Sequence, residues 1–232
     1  MNETPALPSL GVSPQLWQLI SPTLPVGAYA YSDGLEYAVT TGWLQSETDV
    51  RRWVLELARY TLGELEVPVL GRLYAAWQRA DHSDIEYWNA FLLSARETRE
   101  ILEADRQMGK SLGRLIVSLG TNDDQLDSML SQVGLSFITP YTLACNTWRI
   151  PLEEAAGGYV WSWAEARVGA AVKLIPLGQT AGQRILFQVS RAIEAIVERG
   201  LAVKDEEIGA SAPGLALAST RHEEQHTRLF RS

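Results

Sequence analysis

Residues 161–186 read Trp161-Ser-Trp-Ala-Glu-Ala-Arg-Val-Gly-Ala-Ala-Val-Lys-Leu-Ile-Pro-Leu-Gly-Gln-Thr-Ala-Gly-Gln-Arg-Ile-Leu186. Apolar residues keep helical spacing as far as Ile175 and resume it at Ile185. Between them lies Pro176-Leu177-Gly178, where proline removes a backbone donor and disfavours helix in the residue before it. The stretch predicts two helices meeting at a tight turn, with small residues where their backbones approach. It holds no nucleophile, acid–base pair or metal cluster. A segment this specified without a catalyst points to a protein that holds other proteins.

Working outward, Val160, Ala164, Val168, Ala171, Val172 and Ile175 form one stripe. Ile185, Leu186, Val189, Ile193, Ile196 and Val197 form another, which Gly200 is expected to end. Between Arg96 and Leu119, Ile101, Met108, Leu112, Leu115, Ile116 and Leu119 keep the same period. The pairs Arg96–Glu100 and Arg99–Glu103 there have the spacing of a solvated helix face. Ser13-Pro14 reads as an N-cap with proline at N1, opening a short helix through Ile20. Ser21-Pro-Thr-Leu-Pro-Val-Gly27 breaks it, and a helix from about Ser32 to Thr41 should stop at Gly42. Ser46 with Asp49, and Ser83 with Glu86, have capping-box spacing. Pro68 should interrupt or kink the helix between Val54 and Arg79. No segment alternates between hairpin turns. The expected fold is all-α, a single-domain bundle of roughly eight to ten helices over residues 13–201. Residues 1–12 read as a flexible lead-in, and 202–232 as a loose linker with a C-terminal partner-docking tail.

The 232 residues suffice for one continuous core. Lys and Arg number 20 against 28 Asp and Glu, a net charge of −8, which disfavours nucleic acid as a partner. The single cysteine, Cys145, permits no internal disulfide and fits a reducing cytosol. No basic-then-apolar leader opens the chain, and no apolar run reaches the ~20 residues of a membrane span. A soluble, cytoplasmic protein away from membranes is expected.

His222-Glu223-Glu224-Gln225-His226 spells H-E-x-x-H, in which i,i+4 histidines share a helix face and the glutamate activates a zinc-bound water. A zinc-dependent hydrolase is the alternative this pattern raises. It lacks a third ligand, because Thr227 to Ser232 offer no good one; transient binding of a divalent ion by His222 and His226 stays open. Gly178-Gln-Thr-Ala-Gly182 lacks the lysine and preceding strand of a phosphate loop, so its small residues are read as allowing close helix contact. Any nucleotide hydrolysis must then come from another chain. Lys173, in an apolar run, either snorkels from the helix edge or pairs with a carboxylate such as Glu165 or Glu36. Cys145 is read as a small core residue. Tyr29, Tyr31 and Tyr37, with Asp33 and Glu36, suit an interface or a half-buried core equally. Thr227-Arg-Leu-Phe-Arg-Ser232 joins basic and apolar anchors suited to docking on a partner, the alternatives being fraying or packing on its own domain.

Four segments stand out in order: Ser21-Pro-Thr-Leu-Pro-Val-Gly-Ala-Tyr-Ala-Tyr-Ser-Asp-Gly-Leu-Glu36, Arg96-Glu-Thr-Arg-Glu100, Lys173-Leu-Ile-Pro-Leu-Gly-Gln-Thr-Ala-Gly-Gln183, and His222-Glu223 with Arg228-Leu-Phe-Arg-Ser232. Together they resemble the urease accessory protein UreF family. The resemblance implies an all-helical, often dimeric protein with no enzymatic activity and no tightly bound cofactor. It implies assembly with UreD (also called UreH), the GTPase UreG and apo-urease to insert nickel, with GTP entering only through the partner GTPase. Carried over, it makes Tyr31, Ser32, Gly34 and Glu36 interface or channel residues. Lys173, Pro176, Gly178, Gln179 and Gly182 match the central motif, and His222, Glu223, Arg228, Leu229 and Phe230 match a tail that orders when UreD binds. Position 226 more often carries an aromatic in this family, so His226 departs from it, as does Tyr29-Ala30 from the family's Phe-Ser.

Overall fold

The computed structural model describes residues 13–121, 123–132 and 134–231. In chain order the helices are α1 (Pro14–Leu19), α2 (Leu35–Thr40), α3 (Glu47–Leu57), α4 (Val67–Arg79), α5 (His82–Ser94) and α6 (Arg99–Ser118). They continue with α7 (Asp124–Gln132), α8 (Ile138–Thr147), α9 (Leu152–Leu174), α10 (Gln179–Ala202) and α11 (Pro213–His222). A π-helical segment, Ala58–Glu66, joins α3 to α4 as one rod, giving ten helices in a single domain with no strand among the described residues. The expected lead-in, 1–12, lies outside the described residues. No described helix is long and apolar enough to cross a membrane.

The predicted helix pair is α9 and α10. Ile175, before Pro176, is extended at φ −117° and ψ 141°, as a residue preceding proline must be. Gly178 takes φ 74° and ψ 158°, a conformation essentially reserved for glycine. The two helices then fold back along each other. A Cβ on Gly182 would fall 2.9 Å from Val172 Cγ2, so this small residue sets how closely they pack.

The core has two parts. The larger gathers around α4, α8 and the first half of α9; the smaller lies between α2, α3, the second half of α9 and the start of α10. Ser46 and Asp49 form the expected capping box. Proline 68 acts less abruptly than expected. It has no N–H for the carbonyl of Glu64 four residues back, and that carbonyl accepts instead from the Gly209 N–H at 3.0 Å. The rod widens into the π segment and continues.

Several expectations need correcting. Helix α2 starts at Leu35 rather than Ser32, because Asp33 and Gly34 both have positive φ, 50° and 75°. Ser83 caps nothing: Asp81 caps α5 by accepting from the Asp84 N–H, and Glu86 accepts from Gln125. Gly200 does not end α10, which runs on to Ala202. Its missing Cβ would lie 2.7 Å from Val67 Cγ1 and 2.8 Å from the Gly63 carbonyl oxygen, so it is a crossing residue. Residues 213–222, read as loose chain, form α11. Helices α7 and α8 were not marked by any stripe. In α8 every residue from Ile138 to Cys145 is buried, so no polar face exists to create a period.

Candidate functional site

Three of the four resembling segments meet at one buried cluster, and the fourth reaches its edge through Lys173. Its centre is His222, the last residue of α11, with 0% of its surface exposed. His222 Nδ1 lies 2.9 Å from Glu100 Oε2, and Nε2 lies 3.2 Å from Glu36 Oε2. Both ring nitrogens thus face carboxylates, one on α2 and one on α6.

Each carboxylate has further partners. Glu100 Oε1 accepts from Arg228 Nη1 at 3.0 Å. Glu36 accepts two successive tail amides, Leu229 N–H at 2.7 Å and Phe230 N–H at 2.9 Å. Burial pushes the Glu100 carboxyl up from its ordinary value, against the opposing pull of His222 and Arg228.

Local structure explains how the parts are held. Asp33 at positive φ is clamped by Arg167 of α9, which also donates to the Tyr31 carbonyl at 3.3 Å. The Ser32 hydroxyl accepts from the Glu36 N–H at 3.3 Å. A Cβ on Gly34 would fall 2.6 Å from the Ser219 amide nitrogen, so glycine lets α2 rest on the backbone of α11. Thr98 caps α6 through the Ile101 N–H and shares a 2.7 Å hydrogen bond with Ser219. The Arg231 N–H donates to the Ala30 carbonyl at 2.7 Å, closing the tail onto the first motif. Phe230 is buried, and Lys173 Nζ stands 5.9 Å from its ring centroid.

Tyr31, Ser32, Gly34, Glu36, Lys173, His222, Arg228, Leu229 and Phe230 are therefore brought together. Pro176, Gly178, Gln179 and Gly182 are not; they make the α9–α10 turn. Glu223 is exposed just past α11. Lys173 snorkels from its helix edge over Phe230 and pairs with neither Glu165 nor Glu36. Tyr31 is buried while Tyr29 is 70% exposed, so the tyrosine cluster divides between core and surface.

The H-E-x-x-H reading fails on geometry. Helix α11 ends at His222, so His226 does not sit one turn further on the same face, and it lies exposed. His222 is committed to Glu36 and Glu100, and the described residues contain no group of three or more His, Cys, Asp or Glu placed to hold a metal ion. The shared helix face that the pattern requires of His222 and His226 is therefore not formed in this structure. Cys145 is buried, and burial pushes its thiol up to about 12, away from a nucleophilic thiolate.

The expected Arg96–Glu100 pair is also not formed. Arg96 precedes α6 and enters the core, bonded to Glu66 and to Asp105 at 2.8 Å, while Tyr159 donates to Glu66. Glu100 turns to His222 and Arg228 instead. Sequence reasoning marked this segment as one of the four resembling ones but assigned its charges to solvent. Arg167, Thr98 and Ser219 were missed, with no local pattern to single them out.

A family model described as UreF matches residues 44–190. The chain is 47% identical over 220 residues to a urease accessory protein UreF of Alkalilimnicola ehrlichii, covering 94% of this chain and 95% of that one. It is 45% identical to the Teredinibacter turnerae protein of the same name, over 94% and 97% of the two chains. With that of Azoarcus sp. it shares 43% identity over 97% and 98%. Glu36 and the tail from His222 to Phe230 lie outside the stretch matched by the family model.

Proposed function

The chain belongs to the UreF family of urease accessory proteins, and from that footing we propose that it is a cytoplasmic scaffold for loading nickel into urease. In this reading it forms a homodimer, holds UreD (UreH), recruits the GTPase UreG and presents the assembly to apo-urease. It makes and breaks no bond itself. Nickel is cargo, and GTP acts only through the partner. Coupling hydrolysis to metal release requires that affinity differ between nucleotide states of the GTPase, since binding that ignored the state would shift nothing.

The observation that carries the reading is the clamped tail. Glu36 fixes the backbone of Leu229 and Phe230, burying the phenylalanine and leaving the Leu229 side chain 66% exposed. An apolar anchor held on a rigid backbone loses little freedom on binding, which favours its use as a docking point. Removing residues 222–232 is a poor test, because it would strip partners from two buried carboxylates. The variant Leu229→Asp leaves those bonds alone. It should keep the circular dichroism of the parent and lose co-elution with UreD on size exclusion. Unchanged co-elution would remove the tail from the reading.

A further inference from the structure

Away from the tail cluster, the π segment and α10 enclose a groove of a different character. Its walls include Arg59 and Tyr60 from the π segment and Arg191, Ala195 and Arg199 from α10. Gly63 and Ile196 form its floor, where a Cβ on the glycine would already touch the isoleucine at 3.4 Å. In a chain of net charge −8, this lining carries three arginines and no carboxylate. Arg199 reaches Glu64 at 2.6 Å and Arg59 is 3.8 Å from Glu56, yet both guanidinium groups remain largely exposed. Arg191 has no carboxylate partner among the described residues and is exposed. Tyr60 is 54% exposed, and Phe187, one turn before Arg191 on α10, is 63% exposed.

Arginine beside exposed aromatics is the composition of binding hot spots. The backbone adds a separate observation: nine residues of π-helix form one wall, and π geometry, poorer in packing than α, concentrates at functional sites. We propose that this groove is a docking surface for an acidic, partly apolar segment of a partner protein, its carboxylates meeting Arg59, Arg191 and Arg199 and its apolar side chains lying on Tyr60 and Ala195. Charge decides between occupants. Two copies of the chain meeting here about a two-fold axis would set arginine against arginine. Nucleic acid would meet three arginines on a molecule whose overall field repels phosphate. The groove shares no lining residue with the tail cluster, so the two readings fail separately.

The test uses the full chain and two labelled helical peptides, identical except that glutamates flanking a leucine stripe in one are glutamines in the other. By fluorescence anisotropy at low salt, the acidic peptide should bind about tenfold tighter than the neutral one. Arg191→Glu or Arg59→Glu, each shown folded by circular dichroism, should weaken it by roughly tenfold. Arg114→Glu, on the distant exposed side of α6, should change it by less than about twofold. Raising salt should weaken the acidic peptide alone. Equal binding of the two peptides, no binding, or equal loss in the Arg114 variant would overturn the proposal. So would preference for a duplex oligonucleotide, or self-association that Arg191→Glu abolishes.

Discussion

At the scale of single residues, Glu36 does the most with the fewest atoms. Its two oxygens accept the amides of Leu229 and Phe230 and face the His222 imidazole. Truncation leaves those donors facing an empty buried site, which costs more than the bonds themselves contribute. Glu36→Ala should therefore lower the unfolding free energy by about 3 kcal/mol in urea titrations. It should also expose the tail to limited proteolysis before the core yields. A loss below about 1 kcal/mol would mean the tail is held elsewhere.

At the scale of elements, glycines at helix crossings matter more than helix propensity. Ala exceeds Gly in a helix interior by roughly 0.5–1 kcal/mol. Gly200 lies within α10, so propensity alone makes Gly200→Ala stabilising. Contact with Val67 and the Gly63 carbonyl says the opposite, because backbone is the least yielding of neighbours. Gly200→Ala should destabilise by about 1–3 kcal/mol, measured by urea denaturation. A stabilising outcome would restore the glycine to the helix end where the sequence alone put it. The π segment that it packs against also depends on Pro68, whose missing N–H frees the Glu64 carbonyl for Gly209.

At the scale of the whole molecule, burial lifts three carboxyl groups, Glu100, Asp105 and Glu165, above their ordinary values. In the first two, neighbouring cations pull the other way; for Glu165 burial is the sole cause. A folded state that holds a proton more tightly than the unfolded chain gains stability below the unfolded value, 4.5 for this glutamate. That gain is lost as pH rises through the folded value. Glu165→Gln should raise Tm by on the order of a degree near pH 7, since the group is only partly buried and solvent screens it. Near pH 4 the two proteins should melt together. A shift of equal size at both pH values would assign the effect to packing.

The sequence by itself determined the helical class, the α9–α10 pair and its turn, and the cap at Ser46, because each rests on residues within a turn or two of one another. Family membership was legible for the same reason, in four short ordered motifs. It did not determine that His222 is a buried hub, that Arg96 leaves its neighbour Glu100 for Glu66 and Asp105, or that Gly200 is a crossing point. Charge partners four apart look alike whether a helix face meets water or another helix. Only the tertiary structure, by bringing α2, α6 and the tail together across more than a hundred residues, decided which charges were buried, and burial is what turned them from solvated side chains into a clamp.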